Sequence, residues 1–169
     1  ICKCNLWLRA ADRVFIKLAE FNATSFESLF QNVKKIKWDS YLSKEACFPV
    51  YAKSVKSKLF SLSDIQSISK KAVVEAMKET YNLEWFDETG PRFPIHIAIL
   101  NDQTSVLIDT SGEGLHKRGY RIAPVLAPLK ETLAAGLVLL GNWYPDKPLI
   151  DPFCGSGTIP IEAAMIARN

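Results

Sequence analysis

Near the end of the chain, Asp151-Pro152-Phe153-Cys154-Gly155-Ser156-Gly157-Thr158 follows Leu149-Ile150 and leads into an apolar-periodic run. A strand that ends in a short glycine turn and resumes as a helix presents backbone N–H groups and the positive helix end to a ligand. Glycine lets that ligand approach the backbone closely. Pro160 suits only the first helical turn, where its missing N–H costs little, so the helix is expected to begin around residues 157–158. A phosphate-cradling loop needs G-x-x-x-x-G-K-[ST], and no lysine follows Gly157. A dinucleotide loop needs G-x-G-x-x-G, and Pro160 stands where the third glycine belongs. An acid at the strand's carboxyl end, Asp151, is a poor neighbour for a pyrophosphate and suits a ligand carrying a positive amine or sulfonium. S-adenosylmethionine is such a ligand. A tight turn that binds nothing accounts for the G-x-G alone about equally well.

Cys154 has no base near it in sequence, so a packing role is favoured over a nucleophilic one. Glu162 could orient the loop from the first turns of the helix, or stand solvated on its surface. The basic residues fall in three groups: Lys53, Lys56 and Lys58; Lys70 and Lys71; and His116, Lys117, Arg118 and Arg121. Phosphate binding needs such cations on one surface, whereas scattered lysines are usually a solvated face. "GLHKRGYR" is the sharpest local candidate: its glycines free the backbone, Tyr120 can stack and arginine pairs bidentately with phosphate. Trp7, Trp38 and Trp85 sit among apolar neighbours and are expected in the core. His96 is expected to be packed and Asp109 to cap a turn.

The elements that must position these residues are mixed. Residues 2–12 read as the end of a helix, and "RVFIKLAEF" alternates as a strand. Thr24-Ser-Phe-Glu27 has the capping-box pattern and opens a helix with a Phe26, Leu29, Phe30, Val33 stripe. "CFPVYAKSV" reads as a strand, Pro49 placing it at an edge or start. Ser63-Asp64 opens a long helix to about residue 81. "IHIAIL" and "TSVLIDT" flank Asn101-Asp102-Gln103 as a tight hairpin. Residues 111–121 read as irregular, 129–143 as a helix, and 148–151 as the strand before the glycine loop.

The composition is that of a globular protein: 48% hydrophobic, 23% charged and a net charge of +3 over 169 residues. That charge is too small to name a nucleic-acid partner by itself. No stretch approaches the ~18 apolar residues of a membrane helix, and no signal segment opens the chain, so no membrane partner is expected. The chain starts at Ile1 rather than Met, which suggests that it begins inside a longer protein. Cys2 and Cys4 form a poor zinc pattern without a nearby histidine, so no metal is expected and the four cysteines are read as reduced cytoplasmic thiols.

The string "DPFCGSGTIPIEAA" resembles the signature of the RNA methylase family whose members carry a THUMP domain ahead of a class I methyltransferase domain. The match includes Asp151, Pro152, Cys154, Gly155, Ser156, Gly157, Thr158 and Glu162. "NLWLRAADRV", "KSVKSKLFS", "DTSGEGLHKRGYR" and "APLKETLAA" resemble the bacterial branch, so the likeness runs almost end to end. Bacterial members include the large-subunit ribosomal RNA guanine-N2 methyltransferase and sequences labelled N6-adenine-specific DNA methylases. The resemblance implies that Asp151 to Thr158 hold the methionine end of S-adenosylmethionine, Phe153 replacing the first glycine of the broader consensus. It also implies that the helix opening at Lys130, Glu131 and Thr132 packs against that end, where its first N–H groups and side chains could reach the ligand; a capped amphipathic helix without that role accounts for the run equally well.

By the same resemblance the fold is an α+β THUMP/ferredoxin-like part followed by the first helix–strand–helix of a Rossmann-like methyltransferase domain. The expected divisions are residues 1–40 (end of a ferredoxin-like region), 41–122 (THUMP) and 123–169 (truncated methyltransferase). THUMP domains bind structured RNA, which turns the basic groups into candidate RNA contacts and makes ribosomal RNA the expected partner. The family's Asn/Asp-Pro-Pro-aromatic catalytic motif does not occur, so no catalytic residue is expected within the chain. The competing readings are a non-enzymatic RNA-binding module and an N6-adenine DNA methylase.

Overall fold

The computed structural model describes residues 1–120 and 128–168 and divides into two compact units, Phe15–Thr110 and Ile1–Val14 with Ser111–Asn169. In the first unit, strands β1 (Phe15–Asn22), β2 (Val50–Val55), β3 (Ile95–Leu100) and β4 (Gln103–Asp109) form one sheet. Their order is β1-β4-β3-β2. The β1/β4 and β3/β4 pairs are antiparallel and β2/β3 is parallel. A parallel neighbour requires a crossover, and α3 (Leu62–Tyr81) supplies it between β2 and β3. Asn101 and Asp102, at φ 49° and 65°, close the β3–β4 hairpin. Two left-handed turn residues match the twist of the strands, and Asn and Asp tolerate that region. β2 is an edge strand, as Pro49 indicates.

Strand alternation puts Ile95, Ile97, Ile99, Val106 and Ile108 on one face of the sheet, fully covered. Leu29 and Val33 of α2 (Phe26–Lys34), with Ile65, Ala72, Val73 and Met77 of α3, complete that core. Trp38 is buried and donates its indole N–H to the Val33 carbonyl at 2.9 Å. Trp7 and Trp85 are exposed instead of buried, because each lies in a segment without a core-facing stripe. The α2 cap is Ser25, whose hydroxyl accepts the Ser28 N–H at 3.2 Å. Glu27 accepts from Gln31 at 2.8 Å, so the capping box read from Thr24 does not form and the cap lies one residue later.

The loop after α3 is pinned by a charge. Lys70 Nζ lies 2.5 Å from Glu88 Oε1, 3.0 Å from the Phe48 carbonyl and 3.7 Å from the Phe48 ring centre. Glu88 also accepts the Phe48 N–H at 3.1 Å.

The compact units do not follow the divisions read at residues 40 and 122. Residues 15–40 belong with the sheet because β1 pairs with β4 and α2 packs on α3. Residues 1–14 belong with the later part because Asp12 joins it: its carbonyl accepts from Leu115 N at 2.9 Å, and its carboxylate meets Lys130 and Thr132, each at 2.6 Å. The second unit carries α1 (Cys2–Trp7), α4 (Glu131–Leu140) and α5 (Thr158–Ala167), with α4 and α5 in contact. Residues 148–151, read as a strand, form no ladder among the described residues. A ladder needs a neighbouring strand, and the described part of this unit supplies none.

Burial raises the Glu88 pKa, but the Lys70 ammonium and the Phe48 N–H outweigh it and hold the carboxyl below its ordinary value of 4.5. Glu88→Gln should therefore cost about 1–2 kcal/mol in urea unfolding at neutral pH. The wild-type advantage is full above the unfolded-state value and should vanish as pH falls through the lower folded-state value.

Candidate functional site

The glycine loop is built by local hydrogen bonds. Asp151 Oδ1 accepts the Phe153 N–H at 3.2 Å, turning the chain after Pro152. The Gly157 N–H donates to the Cys154 carbonyl at 2.7 Å. Gly155 and Gly157 take φ 52° and 72°, the left-handed region that a Cβ disfavours. Gly157 caps α5, and Pro160 falls in its first turn as read from the sequence. Ser156 Oγ and Thr158 Oγ1 lie 2.9 Å apart, with Thr158 buried. Cys154 is an exposed free thiol, and Phe153 is 94% exposed. The loop thus offers one carboxylate oxygen beyond the turn bond, a helix start and an open aromatic ring.

Glu162 stands one helical turn into α5 and is fully buried. Its Oε1 lies 3.1 Å from Arg118 Nε, without the alignment of a hydrogen bond, and accepts the Tyr120 hydroxyl at 3.1 Å. Arg118 also donates to the Arg9 carbonyl. Of the two sequence readings of Glu162, the solvated one fails. The same contact removes Arg118, only 10% exposed at its side chain, from the surface where phosphate contact was expected. A buried carboxylate needs an opposite charge, and Arg118 is the one supplied.

At the head of α4, Lys130 and Thr132 are held by Asp12, and Glu131 is buried. The Lys130 ammonium, together with the Thr132 hydroxyl, holds the Asp12 carboxyl below its usual value against a small desolvation effect. No sequence signal links Asp12 to residues more than a hundred positions away, which is why the reading from sequence missed it.

The remaining basic candidates separate by partner. Lys70 is taken up by Glu88 and Phe48. Lys71 lies 3.9 Å from Glu75, and Lys117 lies 3.5 Å from Glu113. The His116 ring folds over Gly114, where a Cβ would come within 2.6 Å of it. Arg121 lies outside the described residues. Lys53, Lys56 and Lys58 are exposed and make no ion pair among the described residues. His96 is packed between the Phe15 and Tyr51 rings, each at 5.1 Å, with Asp109 Oδ2 3.9 Å from its Nε2. Asp109 is thus buried beside a histidine. Among the described residues, no group of three potential metal ligands occurs and no helix is long and apolar enough to cross a membrane.

A compact α+β unit, followed by helix, glycine bend and helix, is the layout of an α+β module joined to the opening of an α/β ligand-binding domain. Residues 23–109 match the THUMP domain model, and residues 118–169 match the model described as RMKL-like, methyltransferase domain. The chain belongs to the THUMP-domain family, with the opening of an RMKL-like methyltransferase domain following the THUMP domain. It is 52% identical over 171 residues to a Bacillus subtilis (strain 168) protein described as "Putative RNA methyltransferase YpsC", covering all of this chain and 44% of that protein. A solved Listeria monocytogenes str. 4b F2365 structure, described as a predicted N6-adenine-specific DNA methylase, is 54% identical with a TM-score of 0.95 over 100% of this chain and 45% of its own. The structure of SMU.472, described as "a putative methyltransferase complexed with SAH", is 51% identical with a TM-score of 0.90, over 99% and 45% of the two chains. TrmN from Thermus thermophilus, 22% identical with a TM-score of 0.71 over 96% and 48%, shares the fold. The chain therefore spans under half the length of the relatives it matches.

Glu162→Ala strands the buried Arg118 guanidinium and should lower stability by about 3–5 kcal/mol. Joint replacement, Arg118→Met with Glu162→Leu, should recover much of the loss in chemical unfolding. Additive losses in that cycle would show that the two side chains act independently.

Proposed function

We propose that the chain is the RNA-binding part and first cofactor motif of an S-adenosylmethionine-dependent RNA methyltransferase acting on an exocyclic amine of a guanine in large-subunit ribosomal RNA. The observation that carries this reading is the loop of Asp151 to Thr158: a carboxylate at a left-handed glycine bend, directly before a helix start. The fit is good on the loop's own terms. One Asp151 oxygen is left over from the turn bond, and a Cβ built on Gly155 would meet only the Phe153 carbonyl, at 3.9 Å, so the bend is open to a ligand. A relative complexed with SAH, the product such a donor leaves, supports the same cofactor.

In that role Asp151 would hold the amino end of the methionine moiety, and the N–H groups at the start of α5 its carboxylate. Bound S-adenosylmethionine would supply an electrophilic methyl on a sulfonium. Lys130 and Thr132, fixed by Asp12, would set the neighbouring wall, and the Glu162–Arg118 pair would keep α5 in place beneath the loop. Lys53, Lys56 and Lys58 would contact RNA phosphates, while Lys70, Lys71, His116 and Lys117 are secondary because each already packs against a partner. Four free thiols suit the reducing cytoplasm.

Asp151→Ala in the full-length protein should weaken S-adenosylmethionine binding by about ten-fold or more in calorimetry, with little change in the unfolding midpoint, since the residue lies on a loop. Unchanged affinity would remove Asp151 from the site. Transfer of labelled methyl from S-adenosylmethionine, catalysed by the full-length protein, to ribosomal RNA and not to duplex DNA is the expected outcome. Transfer to DNA adenine alone would overturn the RNA assignment in favour of the activity by which the Listeria relative is described.

A further inference from the structure

The loop between β2 and α3 is exposed yet fixed. Asp102, in the hairpin turn, accepts the Lys58 N–H at 2.7 Å on its carboxylate and donates its own N–H to Ser57 Oγ at 3.1 Å. The Ser57 hydroxyl donates to the Val55 carbonyl at 2.8 Å, and the Ser54 hydroxyl to the Leu59 carbonyl at 2.5 Å. Asn101 N also donates to the Val55 carbonyl, at 3.1 Å. Leu59 is buried as the anchor, and Lys56 takes φ 49°, a conformation that lysine seldom adopts. This loop is therefore a shaped structure and not a loose connection.

What it displays is an exposed ring in the same short stretch as two exposed lysines. Phe60, next to the buried anchor, is 81% exposed. Lys56 and Lys58 flank the turn without an ion pair among the described residues, and the nearby Asp102 carboxylate accepts a backbone N–H. Exposed lysines alone make a phosphate contact. An exposed aromatic face two residues after Lys58 adds a surface on which an unpaired base can stack, and stacked duplex bases do not offer that face. A nucleotide strand satisfies ring and charges together, a base meeting the ring and the phosphates meeting the two lysines.

We propose that the β2–α3 loop grips a single-stranded stretch of RNA, Phe60 stacking on one unpaired base while Lys56 and Lys58 meet the flanking phosphates. This rests on the RNA-binding reading above and names where and how the strand is held. The test uses full-length protein and fluorescence anisotropy across a salt series with three labelled probes: an RNA hairpin with a uridine-rich loop, a fully paired RNA duplex and a DNA duplex of equal length. Phe60→Ala should weaken hairpin binding about ten-fold, leave the salt slope unchanged and leave duplex RNA binding as in wild type. Phe60→Trp should retain hairpin affinity. Lys56→Ala with Lys58→Ala should lower the salt slope by roughly one to two. Because all three side chains are exposed, loss of fold does not confound the result. Wild-type hairpin affinity in Phe60→Ala would overturn the stacking assignment alone. Equal losses on all three probes would overturn the single-strand assignment, and a wild-type protein that binds no RNA would overturn both this inference and the reading beneath it.

Discussion

A charge taken out of water must find its opposite, and in the C-terminal unit that constraint is met at Glu162 and Arg118. The pair does more than neutralise a carboxylate. Arg118 reaches the Arg9 carbonyl, and Tyr120 joins the same oxygen of Glu162, so residue 9 and residues 118–120 are tied to one turn of α5. That turn lies directly behind the glycine bend. Moving the pair would move the helix start, and the direction of the loop's N–H groups depends on that start.

Features written in short stretches were legible beforehand. The hairpin at Asn101-Asp102, the helix beginning at Thr158 and the α2 stripe each follow from a few neighbouring residues and a fixed period. The glycine bend was legible for the same reason: its bonds join residues two or three apart. The strand at residues 148–151 was not, because a ladder is a property of two segments and the alternation of one segment cannot supply the other. The capping box failed more narrowly, since Thr24 and Ser25 are both competent caps and only the helix's actual phase decides between them.

Side-chain partnership was the part the sequence hid. Arg118 lies in the segment that read as the sharpest phosphate candidate, yet its side chain is turned to the interior beside Glu162. Lys70 and Lys56 are equally basic on paper, yet one lies against Glu88 and a phenyl ring while the other stands free. Pairing of this kind couples residues such as Asp12 and Lys130, whose separation leaves no periodic trace. The candidate RNA surface therefore shrinks from nine residues to a group around one loop.

The position of β1 in the sheet has a bearing on biosynthesis. Among the described residues its ladder partner is β4, whose first residue lies about 80 positions beyond the end of β1. At roughly 5–20 residues per second of translation, the nascent strand waits on the order of ten seconds for its mate to be made. Through that interval its backbone edge is open to any other extended chain. The irregularity between Lys17 and Ala19, which breaks the regular spacing of that edge, lies in the segment that has to wait.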